Sequence, residues 1–314
     1  MLLNCGIERR SPLACRCPGA SVPAMSYLFE IRGRLPPGGW PWPLSAPQAE
    51  RMLAEVSAAA DAALTAAAAV LDLPAPGPRR GEIEAFLEVY ARRPLTGNRH
   101  GSGFNDSLWL WLAARWLEPD LVVESGTFMG HSAWLFRQAC PAAAIVTHDV
   151  ELPPAGRLRA PGVDYRLADW SAAPIAAGDP ARALCFFDDH ISHARRLAEA
   201  RACGFALVLL DDDFPSWQLH ATGAPPLPSL SMLLDEEPLD GAIEWQRRGK
   251  HYAYDEDEAR RHERRVVGEL VAARYRFPDL SPTTRQPPGS NLTLVRLAQK
   301  LARKDDTVSG RPQA

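Results

Sequence analysis

Lysine is nearly missing from this sequence: Lys250, Lys300 and Lys304 are the three present in 314 residues, so almost all positive charge is arginine. In a chain this rich in alanine and proline, that reads as the mark of a GC-rich genome and not of function. A basic excess is missing too. Lys and Arg number 35 against 38 Asp and Glu, a net charge of −3, which argues against binding driven by nucleic-acid phosphates. No apolar stretch approaches the roughly 18 to 20 residues of a membrane span. The longest soft run, 58–73, is alanine-rich and broken by Asp61 and Asp72. Residues 1–3 are too few for a signal-peptide core, and Cys5, Glu8, Arg9 and Arg10 follow at once. A zinc knuckle is excluded by spacing: one residue separates Cys15 from Cys17 and no second pair lies nearby, while Cys140, Cys185 and Cys203 stand singly in apolar surroundings. These absences imply a cytoplasmic protein with reduced thiols and neither membrane nor nucleic acid as partner. They leave the oligomeric state open.

The composition that remains is ordinary for a globular chain, 46% hydrophobic and 23% charged, and the length suffices for a substantial core. Residues 1–45 lack periodicity and read as an irregular lead-in, with Met25 as a possible start. A helical extension is expected over 46–118: one helix over 46–73, stopped by Ala75-Pro76-Gly77-Pro78, a second over 81–92, and a third over 106–117 capped by Asn105 or Asp106. Trp109, Trp111 and Trp116 on the third helix are expected to pack.

From Pro119 the texture changes to short apolar runs alternating with helical stretches. Strands are expected at 121–123, 144–147, 163–167, 184–187 and 206–210, with helices at 132–140 and 192–202. Such alternation implies a mainly parallel sheet with helices on both faces, an α/β domain over 119–300. Within it the aromatic, proline-rich stretch 214–254 suits a lid, 255–275 a charged helix with Asp257 paired to Arg261, and 291–298 a last strand. Residues 301–314 form a polar tail.

Two features carry chemistry. In Leu121–Ser132 (LVVESGTFMGHS) a buried strand ends in Glu124, and Gly126 and Gly130 follow before a helix begins. Glycines there let the backbone turn sharply and approach a ligand. The spacing is neither that of a phosphate-cradling Walker loop nor that of the dinucleotide fingerprint. The next strand ends at His148-Asp149, about 20 residues on, where an acidic side chain can accept ribose hydroxyls. The third ends at Asp169-Trp170, a polar and aromatic pair suited to an adenine edge and face. Here the chain resembles the class I S-adenosylmethionine-dependent methyltransferases, whose first motif is an acidic residue followed by glycine, three residues and glycine. The resemblance covers roughly residues 105–215. It implies a Rossmann-like sheet, with Glu124, Gly126 and Gly130 around the methionine part of the cofactor, Asp149 at the ribose, and Asp169 and Trp170 at the adenine.

The second feature is acidic: Asp188, Asp189 and His190 end the fourth strand, and Asp211, Asp212 and Asp213 end the fifth. Adjacent strands lie about 4.8 Å apart, so these carboxylates crowd one rim unless a cation, hydrogen bonds or raised pKa values relieve them. Oxygen clusters of this kind suit Mg²⁺ or Ca²⁺. The pattern is similar to the metal-dependent sugar O-methyltransferases of macrolide and aminocoumarin pathways and the cephalosporin-hydroxylase-like group. That resemblance implies a divalent ion such as Mg²⁺ on Asp188, Asp211 and Asp212, with a one-residue slip to Asp189 or to Asp212-Asp213 left open. It implies His190 as the base for a hydroxyl of a small or glycosidic acceptor. His131 and His193 are expected to pack, cap or support, and His220 and His251 are weak acceptor contacts. The chain departs from the family in lacking a proline-glycine-glycine turn before the fifth strand, where Gly204 alone remains, and in a first hundred residues that match no motif. Two other readings stand beside this one: an Asp-x-Asp glycosyltransferase using Asp211 and Asp213, and a non-catalytic binding scaffold.

Overall fold

Strands apolar at successive positions must be covered on both faces. The computed structural model describes residues 40, 43–95, 101–151, 158–221, 225–247, 249–286 and 289–298, and its strands meet that condition. Five are parallel: β1 (Leu121–Ser125), β2 (Ala144–Asp149), β3 (Val163–Leu167), β4 (Ala183–Phe187) and β5 (Leu207–Leu210). A hairpin of β6 (Ala242–Arg247) and β7 (Lys250–Asp255) forms a second small sheet. Then β8 (Val271–Arg276) and β9 (Thr293–Leu297) complete the main one, in the order β3-β2-β1-β4-β5-β9-β8, with β9 antiparallel to both neighbours. This is the Rossmann-like α/β arrangement with helices on both faces expected from the sequence. Its winding reverses between β1 and β4, which opens a crevice at their carboxyl ends.

Side-chain alternation along each strand sorts two cores. Val122, Ile145, Leu184, Phe186, Leu207, Leu209 and Leu294 face one way. They meet α1 (Ala46–Leu71), α2 (Arg80–Ala91), α3 (Phe104–Leu117) and α4 (His131–Ala139). Val123, Cys185, Phe187, Val208, Leu210 and Val295 face the other way, toward α5 (His193–Ala202), α6 (Leu230–Leu234) and α7 (Glu258–Leu270). The N-terminal helices therefore share the main core of the sheet. By length and composition alone α1 could cross a membrane, contrary to the sequence expectation. Its buried Leu53, Val56, Leu64 and Leu71 pack into that core instead. Trp109 and Trp111 pack as expected, the former stacked on Phe277 at 4.7 Å.

Three boundaries differ from expectation. Gly103, not Asn105 or Asp106, precedes the first turn of α3, and its N–H donates to the Asp106 carboxylate at 3.0 Å. The charged helix α7 ends at Leu270 and passes straight into β8; Asp257 caps it by accepting from the Arg260 N–H at 2.9 Å, not by pairing with Arg261. The stretch expected as a lid is partly regular: Trp245 and Tyr254 of the hairpin bury against Leu219 and Met232. The irregular lead-in up to residue 39, Met25 within it, and the polar tail lie outside the described residues.

Candidate active site

The glycine loop after β1 is held by close packing. The Gly126 N–H continues the sheet by donating to the His148 carbonyl at 2.9 Å. Gly126 has φ +105°, and a Cβ there would sit 2.1 Å from the Asp188 carbonyl oxygen. Gly130, at φ +83°, would place a Cβ 2.4 Å from the carbonyl of Leu158. Both positions exclude any side chain, and the first brings the glycine loop directly against the acidic loop after β4. Glu124 is fully buried and accepts a hydrogen bond from Thr147 on β2, whose hydroxyl also meets that of Thr127 at 2.6 Å. Asp149 accepts the Phe128 N–H at 2.8 Å and the Glu151 N–H at 3.1 Å, so it joins the ends of β1 and β2.

Past β3 the structure corrects one expectation. Trp170 is fully buried, with its ring against Phe187 at 5.1 Å and Phe205 at 6.2 Å. It belongs to the core beneath the crevice and is no open platform for an adenine. Asp169 is also engaged: it accepts from the Ser171 N–H and from both terminal nitrogens of Arg196. The Arg196 guanidinium holds its carboxyl far below the usual range.

The aspartate runs divide by side-chain direction. Asp188 falls in step with Leu184 and Phe186, toward α3, whereas Asp189 falls in step with Cys185 and Phe187, toward α5, where Arg196 takes it at 2.6 Å. Asp213 is fully buried, accepting the Ser231 N–H and the Thr293 hydroxyl, each at 2.7 Å. Asp189 and Asp213 are thus engaged by the fold itself, which argues against a slip of the acidic group onto either. It also removes the third residue from an Asp-x-Asp motif. The donor atoms of Asp188, His190 and Asp212 lie within 4.8 Å of one another, and His190 Nε2 stands 3.4 Å from Asp212 Oδ2. His190 therefore takes the place in this group that the sequence gave to Asp211, whose Oδ1 accepts the Asp212 N–H at 2.8 Å. His190 and Asp212 both have left-handed backbones, with φ +57° and +54°, a conformation that costs side chains about 1 kcal/mol or more and gathers at functional sites.

The electrostatics match this crowding. Burial, then Asp211 and Asp212, hold the Asp188 carboxyl far above its ordinary range, and burial with Asp106 and Asp212 does the same to Asp211. The hydrogen bond to Asp212 raises the His190 pKa. Asp106 is the residue that sequence reasoning missed. It sits in the first turn of α3, almost fully buried, with its carboxyl pushed up to about 6 by burial and by Asp212 and Asp279. The loop that brings it here is tied by Asn105 Nδ2 donating to the Gln286 carbonyl at 2.6 Å and by the Asp213 N–H donating to the Asn291 carbonyl at 3.1 Å.

Two further histidines are held by buried hydrogen bonds. The Leu230 N–H donates to His193 Nδ1 at 2.9 Å, so Nε2 carries the proton and donates to the Asp211 carbonyl at 3.1 Å. Ser107 Oγ donates to the Gly103 carbonyl at 2.6 Å and so accepts from His131 Nε2 at 3.0 Å; burial holds His131 down at about 4. His251 lies on the hairpin, 3.6 Å from Glu244.

No family model and no curated protein sequence matches the chain. Solved structures similar to it include cofactor-bound Rv0187 from MTB, at 17% identity over 70% of this chain and 90% of that one, with a TM-score of 0.38. Another is the O-methyltransferase TomG of Streptomyces achromogenes in complex with SAM, at 15% identity over 76% and 89%, TM-score 0.35. A third is the O-methyltransferase of Bacillus cereus in complex with SAH, at 12% identity over 76% and 100%, TM-score 0.38.

Proposed function

We propose that this chain transfers the methyl group of S-adenosylmethionine to a hydroxyl of a small or glycosidic acceptor, with a divalent cation at the acceptor side. One observation carries the reading: the side-chain-free contact of Gly126 with the Asp188 carbonyl, which sets a cofactor-type loop against a group of cation donors. Two carboxylates and an imidazole within reach of one point fit a divalent ion, and the nitrogen donor favours Mn²⁺ or a similar transition ion alongside Mg²⁺. Bound there, the cation would lower the pKa of an acceptor hydroxyl.

The chain's own residues do the rest. Gly126 and Gly130 leave room for the methionine part beside buried Glu124, and Asp149, at the carboxyl end of β2 beside the glycine loop, is the residue for the ribose. Asp188, His190 and Asp212 fix the acceptor side. Once the bound cation keeps it ionised, Asp211 would receive the hydroxyl proton, because burial and Asp106 make its carboxylate a stronger base than an ordinary aspartate. When bound, S-adenosylmethionine would supply its methyl group to the acceptor oxygen and leave as S-adenosylhomocysteine. Most of the rate gain comes from alignment and from the lowered hydroxyl pKa.

Calorimetric titration tests this, using S-adenosylmethionine and UDP- and GDP-sugars, each with and without Mg²⁺ or Mn²⁺. Micromolar binding of S-adenosylmethionine is expected. Metal-dependent binding of a nucleotide sugar alone would return the glycosyltransferase reading, and binding of neither would leave a scaffold.

A further inference from the structure

Arg196 is a charged side chain with no exposed surface, on the first turn of α5. Burying a guanidinium costs several kcal/mol unless its donors are satisfied, and here three carboxylates satisfy them. Nε and Nη2 both reach Asp189 Oδ2, at 2.8 and 2.6 Å. Nη2 and Nη1 reach the two oxygens of Asp169 at 2.8 and 3.3 Å. Nη1 also holds Glu199, one turn along the same helix, at 2.6 Å. Two of these arms leave the helix for different strand-end loops. Asp169 closes the turn after β3 by accepting the Ser171 N–H at 2.8 Å. Asp189 closes the turn after β4 by accepting the Ile191 N–H at 3.2 Å, and inside that turn lies His190, in its left-handed conformation beside Asp212.

We infer that Arg196 is a positioning residue that fixes the cofactor-side loop after β3 and the cation-side loop after β4 relative to each other, without touching either ligand. The inference rests on the methyltransferase reading for the identity of those ligands. The rigid fork is what the role needs. A lysine can keep the charge but cannot make parallel bonds to two carboxylates from different loops. The third arm is internal to α5 and serves stability alone.

The test uses the full chain, calorimetry with S-adenosylmethionine, and titration with Mn²⁺ followed by electron paramagnetic resonance. Arg196→Lys is expected to weaken both by about tenfold, while Glu199→Gln leaves both within about twofold of wild type. Unchanged affinities in Arg196→Lys would overturn the inference. So would equal losses in Glu199→Gln, because Arg196 would then act only through general stability. Should Arg196→Lys fail to fold, the single-arm variants decide. Asp169→Asn should cost mainly S-adenosylmethionine and Asp189→Asn mainly Mn²⁺, and the same losses from both would refute separate arms. A wild-type chain that binds neither ligand removes the functional reading and the inference with it; wild-type binding with unaltered variants removes the inference alone.

Discussion

Replacing Asp106 by asparagine should stabilise the metal-free protein near neutral pH. The Asp106 carboxyl is pushed from 3.8 to about 6, first by burial and then by Asp212 and Asp279, against the opposing hydrogen bonds from Gly103 and Ser290. Two pKa units correspond to about 3 kcal/mol. The sign follows from linkage. A carboxyl whose folded pKa is raised contributes stability that is full below its unfolded pKa, near 3.8, and is lost as pH rises through about 6. At pH 7.5 the wild-type protein therefore bears the whole cost, and at pH 5 roughly half of it. Asparagine keeps an oxygen for the Gly103 N–H and removes the charge. For a chain of this size each kcal/mol moves Tm by about 2 to 4 °C, so the variant should melt up to roughly 6 to 12 °C higher at pH 7.5. Its advantage should shrink toward pH 5. Melting curves followed by circular dichroism in EDTA would show this. A variant less stable than wild type at pH 7.5, or one with the same difference at both pH values, would refute the electrostatic reasoning. Saturating Mn²⁺ should reduce the advantage, because a cation offsets the same repulsion.

Other perturbations separate the site from its scaffold. Gly126→Ala must move the Asp188 carbonyl and strain a positive φ, so it should cost about 3 kcal/mol or more in urea unfolding and abolish S-adenosylmethionine binding; a cost below about 1 kcal/mol would contradict the geometry. Asp213→Ala leaves the Ser231 N–H and the Thr293 hydroxyl buried without their acceptor, and should cost about 2 to 4 kcal/mol by the same measurement. His190, with its pKa raised by Asp212, must lose its proton to donate to a cation. Mn²⁺ affinity should thus fall as pH drops through that raised pKa, and His190→Gln should weaken binding and flatten the dependence. A pH profile unchanged in the variant would show that His190 is no donor and restore it as a candidate base.

Much of the sheet was legible because burial on both faces writes apolar runs such as Leu184–Phe187 and Leu207–Leu210 into the sequence. Strand β8 was not. No glycine or proline separates Val271 from the helix before it, and a half-exposed edge strand such as Val271–Arg276 has little apolar signal. Gly126 and Gly130 were legible from spacing, since no other residue fits where they stand. The adenine-side reading of Trp170 failed for a different reason. An aromatic residue just past a strand end can face the crevice or the core, and Phe187 and Phe205 draw this one inward.

The aspartate runs show what spacing alone cannot decide. Neighbouring residues at a strand end point to opposite faces, so Asp188-Asp189 is one group for the crevice and one for the layer behind it. Which is which depends on the strand's phase, and the alternation of Leu184, Cys185, Phe186 and Phe187 between the two cores carries that phase. The phase also explains why α3 matters. Asp188 and Asp211 turn toward the face that the N-terminal helices cover, and there Asp106 adds a third buried carboxyl. A segment that matches no motif thus completes the negative wall of the site. Repulsion of this size, held in place by Gly103, Asn105 and the loop through Asn291, is costly unless a cation relieves it. Weak apo stability and strong stabilisation by Mn²⁺ should therefore appear together, and both should fade in Asp106→Asn.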